Sequence, residues 1–102
     1  MSQKVIIIGS GLGSLATALR LSSKGYQVEI IEKNNRAGGR LNSFEKEGFT
    51  FDMGPSFFSM SYEFKELFRS CGIDNPLKLN ELDPLYSVFF EGRDSAFHIY
   101  KD

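Results

Sequence analysis

The chain has 102 residues, the size of one small domain, and its 41% hydrophobic and 25% charged side chains exclude a disordered, collagen-like or coiled-coil protein. Twelve basic against thirteen acidic residues give a net charge of −1, which excludes the broad cationic face that a nucleic-acid binder needs. Residues 1–51 carry seven basic and four acidic side chains, net +3, and residues 52–102 carry five and nine, net −4; solvated surface explains most of this bias, and a small anionic ligand would suit the first half.

Lys4 is followed by fifteen uncharged residues, 5–19, that contain Ala16-Thr17-Ala18, an imitation of a signal-peptide cleavage site. Glycines interrupt the run after four strongly apolar residues, whereas a signal core needs roughly 7–15, and nothing approaches the ~18 of a membrane span. With Cys71 as the only cysteine no internal disulfide can form, so a reducing, cytoplasmic setting is expected.

Val5-Ile6-Ile7-Ile8 is β-branched without alternation, the pattern of a parallel strand buried on both faces. Past a glycine turn, Leu12, Leu15, Ala16 and Leu19 recur at helical spacing, predicting a helix over about 13–24 that stops at Gly25. Val28, Ile30 and Ile31 then form a second strand ending at Glu32. A β-α-β unit of this length places its two strands parallel and adjacent.

The turn reads Gly9-Ser10-Gly11-Leu12-Gly13-Ser14, a G-x-G-x-x-S form of the dinucleotide fingerprint. Gly9 permits the tight turn, Gly11 lets main chain touch a pyrophosphate, and the small Ser14, in place of the commoner Gly or Ala, lets helix and strand pack closely. The helix N-terminus offers N–H groups to the phosphates. Glu32, 21 residues after Gly11, stands where a carboxylate accepts hydrogen bonds from both hydroxyls of an adenosine ribose; its charge would repel a 2′-phosphate, which disfavours NADP.

After Glu32 comes Lys33-Asn34-Asn35-Arg36-Ala37-Gly38-Gly39-Arg40. This resembles the E-x-x-x-x-x-G-G-R continuation of amine-oxidase-type flavoproteins, where the glycines allow close backbone approach and the arginine lies near FAD. Residues 41–52 predict a hairpin with its tip at 45–48, and Met53-Gly54-Pro55-Ser56 a loop. The run from Gly48 to Ser56, with Met60 beyond it, resembles the corresponding segment of carotenoid desaturases of the bacterial phytoene desaturase type. The resemblance places Gly54 and Pro55 near the flavin. Phe64, Leu67, Phe68 and Cys71 mark one face of a helix ending at Gly72, and a last hairpin is expected from 85–91 and 95–100 about Gly92-Arg93-Asp94.

The expected fold is thus α/β: the N-terminal portion of a Rossmann-like FAD-binding domain, a parallel β-α-β followed by β-hairpins and one helix. The resemblance divides it into an FAD-binding portion at 1–82 and the start of a substrate-side domain at 83–102, around Leu82-Asp83-Pro84-Leu85-Tyr86. It implies FAD as cofactor, held by Gly9, Gly11, Leu12, Gly13, Ser14, Glu32, Lys33, Gly38, Gly39, Arg40, Gly54 and Pro55, and no metal. The implied activity is desaturation of a long isoprenoid by hydride transfer to FAD, with the 102-residue piece alone inactive. Alternatives are another amine-oxidase-type flavoenzyme (amine oxidase, protoporphyrinogen oxidase, retinoid saturase) or a non-catalytic nucleotide-binding fragment. No catalytic acid or base is nominated: Asp52 fits a loop-bonding aspartate and His98 a surface residue. Implied partners are a lipophilic isoprenoid and, for the intact protein, a membrane surface approached peripherally. All ten phenylalanines follow residue 43, more than two helices and a few strands can bury, so the isolated chain is expected to expose apolar patches and self-associate.

Overall fold

A computed structural model describes residues 3–101. Strand β1 (Lys4–Ile8) leads into helix α1 (Leu12–Ser23), which returns the chain to β2 (Gln27–Ile31). The strands pair in parallel from Lys4 opposite Gln27 to Ile8 opposite Ile31. Lys4 Nζ and Glu29 form an exposed ion pair of 2.6 Å across them. The helix ends as its sequence predicts, at Gly25 with φ +85°: Gly25 N–H donates to the Ser22 carbonyl and Tyr26 N–H to the Leu21 carbonyl, a Schellman termination.

Burial alternates along both strands. Val5, Ile7, Val28 and Ile30 are half-buried on the side that α1 covers, whereas Ile6, Ile8 and Ile31 stay 54%, 76% and 49% exposed. The expectation of a strand buried on both faces therefore holds for one face only. Covering the second face of a parallel sheet takes another layer, and residues 3–101 supply none there.

Strands β3 (Ser43–Lys46) and β4 (Phe49–Asp52) form an antiparallel hairpin. Its tip is Glu47-Gly48 alone, both at positive φ (54° and 82°), the two-residue turn whose twist matches the strands. The ladder thus runs further than the expected 45–48 tip allowed. Phe44 and Phe51 stack across it at 5.1 Å. Helix α2 (Ser61–Ser70) ends at Gly72 with the same pair of reverse hydrogen bonds as α1. Its apolar face, Phe64, Leu67 and Phe68 with Cys71 at the cap, is half-buried and touches α1. Strands β5 (Tyr86–Val88) and β6 (Phe97–Ile99) close the last hairpin. They are shorter than expected because Phe89 and Phe90 leave the ladder for an eight-residue loop in which Arg93 lies over the Phe90 ring at 5.7 Å.

The molecule measures 67 × 34 × 21 Å with a radius of gyration of 18.6 Å, against about 13 Å for a compact domain of its length. Among the described residues no hydrophobic side chain is buried; the single buried residue is Ser10, at 3% exposure.

Candidate functional site

Three segments meet where β1 ends: the turn 9–14, the residues just after β2, and the glycine pair 38–39. Gly9 N–H donates to the Ile31 carbonyl at 2.7 Å, fastening the turn to the end of β2. Gly38 N–H donates to the Ser10 carbonyl at 2.8 Å, and Gly11 and Gly38 form a parallel bridge. Gly39, at φ +61°, lies so close to the turn that a Cβ there would stand 3.1 Å from the Gly11 Cα. The loop after β4 joins the same cluster, because Gly54 packs so tightly on the Arg40 carbonyl that a Cβ would overlap it. Two further bonds hold the hairpin in place: Met53 N–H to the Asn42 carbonyl at 2.8 Å, and Arg36 Nη1 to the Ser43 carbonyl at 2.6 Å.

Gly11 is glycine for a different reason. Its φ of −68° suits any residue, and a Cβ built on it would meet nothing within 4 Å. Neither conformation nor internal packing calls for glycine here, and the open main chain leaves room for a ligand to lie against it. As N-cap of α1, Gly11 provides no side-chain hydrogen bond, and the first turn holds no acidic residue. The leading N–H groups and the positive end of the helix dipole are therefore available to an anion, which suits a pyrophosphate.

Glu32 stands beside this turn with both carboxylate oxygens engaged. Oε2 accepts the Ser10 N–H and the Ser10 hydroxyl, each at 2.7 Å; Oε1 accepts the Asn34 N–H at 2.9 Å and the Asn34 side-chain amide at 3.1 Å. The Ser10 hydroxyl above all, then the Asn34 and Ser10 amides, hold the acid well below the ordinary carboxylate range, at about 2. At neutral pH Glu32 is thus an anion that can only accept hydrogen bonds, the partner that a ribose diol requires.

The geometry gathers Gly9, Gly11, Glu32, Gly38 and Gly39 into one cluster and brings Gly54 to Arg40. Gly13 and Ser14 follow in the first turn of α1. Leu12 and Gly13 also line a depression of about 290 Å³ between α1 and α2, with Phe64 and Leu67. Lys33 is exposed beside the acid. Arg40 lines a cleft of about 540 Å³ with Asn34, Phe44 and Met53, whereas Pro55 lines a neighbouring one of about 410 Å³ with Arg36 and Asp52. Ser10 and Asn34 were not expected at the site, since the fingerprint treats both positions as variable. A hydroxyl residue between the first two glycines, facing a strand-end acid, is the signal that could have marked Ser10.

Residues 15–100 match the pattern of the family described as flavin containing amine oxidoreductase. The chain belongs to this family. FAD is the cofactor that goes with membership, and the phosphate turn with its ionised acid fits the ADP half of that molecule. The chain is 43% identical over 93 residues to the 4,4′-diapophytoene desaturase (4,4′-diaponeurosporene-forming) of Staphylococcus aureus strain Newman, covering 89% of this chain and 18% of that enzyme. The same enzyme of strain MRSA252 is 43% identical over 101 residues, 97% of this chain and 20% of its own length. The chain thus spans about a fifth of the curated relatives it matches. A crystal structure of an oxidoreductase from Methanosarcina mazei superposes with a TM-score of 0.50 and 39% identity, over 53% of this chain and 13% of that one. Among the described residues no helix is long and apolar enough to cross a membrane.

Proposed function

We propose that the chain holds the ADP half of FAD in an oxidoreductase that desaturates a long isoprenoid of the phytoene or diapophytoene type. The observation that carries this reading is the 43% identity to 4,4′-diapophytoene desaturase, sustained over nearly the whole chain. In the mechanism, the first-turn N–H groups of α1 bind pyrophosphate oxygens and the open face of Gly11 lets them approach. Glu32 accepts the ribose hydroxyls and orients the adenosine. Gly38 and Gly39 carry the chain past the turn, and Arg40, Gly54 and Pro55 would hold the part of FAD nearer the flavin. FAD, when bound, supplies acceptance of a hydride from a saturated carbon whose neighbour gives up a proton. No side chain of these 102 residues is assigned that proton.

In this reading residues 1–82 serve the cofactor and residues 83–102, with the β5–β6 hairpin, begin the substrate-side domain. The substrate is lipophilic, the intact enzyme works at a membrane surface, and the 102 residues alone hold nucleotide without turning substrate over. A chimera tests it: these residues replace the matching segment of the S. aureus enzyme, expressed with 4,4′-diapophytoene. The expected result is a flavin-containing protein that forms 4,4′-diaponeurosporene. A chimera that binds flavin without desaturating would limit the reading to nucleotide binding.

A further inference from the structure

Ser10 is the only buried residue among those described, and it is polar. Where none of the described large apolar side chains is buried, enclosure of a serine in a phosphate-type turn calls for a cause. Its three polar groups are all committed. The N–H and the hydroxyl both donate to Oε2 of Glu32, and the carbonyl accepts the Gly38 N–H. One residue therefore ties the strand-end acid and the glycine pair to the phosphate turn.

The two carboxylate oxygens sit in different surroundings. The bonds at Oε2 are part-buried and those at Oε1 exposed. A ribose can reach Glu32 only from the exposed side, where the Asn34 amide exchanges with its hydroxyls. The Ser10 bonds lie behind the acid and persist. A carboxylate has about four acceptor positions; Ser10 fills two at the rear and Asn34 two at the front, so a diol is received at the front in place of Asn34 donors while the two Ser10 donors hold the carboxylate. Without them the Glu32 side chain would rotate among its conformers and lose part of its alignment before ligand arrives.

We propose that Ser10 is a positioning residue for ribose recognition: its hydroxyl fixes the Glu32 carboxylate from the buried side in the orientation that receives both hydroxyls of the adenosine ribose. This rests on the ribose role of Glu32, and the test separates the two. ADP and 2′,3′-dideoxy-ADP are titrated calorimetrically into the 102-residue chain, as wild type, Ser10→Ala, Glu32→Ala and the double variant. Wild type should prefer ADP. Ser10→Ala retains both main-chain bonds and loses one charge-assisted bond, so its ADP affinity should fall about tenfold, equal to about 1.4 kcal/mol. Its dideoxy-ADP affinity should stay within twofold, and the Ser10 change should cost nothing further in the Glu32→Ala background. Equal loss for both nucleotides, or additivity with Glu32→Ala, would overturn the proposal and make Ser10 merely structural. A wild type indifferent to the ribose hydroxyls would overturn the ribose role itself, and the Ser10 proposal with it.

Discussion

At the scale of single residues, Glu32 governs the chemistry of the site. Its acid constant lies near 2 because Ser10 and Asn34 donate to its ionised form. A carboxylate whose folded value is depressed contributes stability in full above its unfolded value, and that contribution disappears as pH falls through the folded one. The Glu32 interaction should therefore be complete above about pH 4.5 and lost only as pH approaches 2. Carbon-detected NMR of the Glu32 carboxyl should show a midpoint far below the ordinary glutamate value of 4.5, and Ser10→Ala should raise it. A midpoint near 4.5 in wild type would mean that the four hydrogen bonds do not persist in solution. The motif positions of this site were readable from sequence because each answers to a local demand, such as a tight turn or a charge at a strand end. Ser10 was not, because its role arises when residues 22 apart in the chain are brought together, and Asn34, two residues from the acid, was not, because the spacing rule leaves its identity free.

At the scale of elements, local signals served where they were strong. The β1-α1-β2 unit, both glycine-terminated helices and the first hairpin follow from β-branched runs, 3.6-residue periodicity and turn residues. The second hairpin came out shorter, since Phe89 and Phe90 carry β propensity without an apolar layer to pack on. The resemblance implies close backbone approach at the glycine pair, but not the partner, which only the fold supplies: Gly39 meets the Gly11 Cα, and further along the chain Gly54 meets the Arg40 carbonyl. Gly39→Ala places a side chain in the left-handed region, at about 1–2 kcal/mol, and presses on the phosphate turn. That variant should lose hydrogen-exchange protection at the Gly38 amide and bind ADP roughly tenfold more weakly, if the strain is relieved by opening the 10–38 contact. Unchanged exchange at Gly38 would show that the two segments are joined by other means.

At the scale of the whole molecule, surface area is the telling quantity. The chain exposes 8954 Å², whereas a compact monomer of its mass exposes about 5,800 Å². Eight of the ten phenylalanines, with Ile6, Ile8 and Ile31 on the uncovered sheet face, are exposed. Such a surface is stable in water only when covered. We therefore expect the isolated chain to bind a hydrophobic dye and to sediment with a weight that rises with concentration, and Ile8→Lys, at the most exposed isoleucine of the sheet, to reduce both. A monodisperse monomer that leaves the dye dark would contradict this.

In the proposed function the phosphate turn and Glu32 act together to hold the ADP half of FAD. Titration of FAD into the 102-residue chain, followed by flavin fluorescence and compared with Glu32→Ala, tests that most directly. Saturable one-to-one binding is expected, weakened about 10- to 100-fold by the substitution, as befits loss of a charged acceptor for the ribose hydroxyls. Equal affinity in the two proteins, or no binding by the wild type, would contradict it.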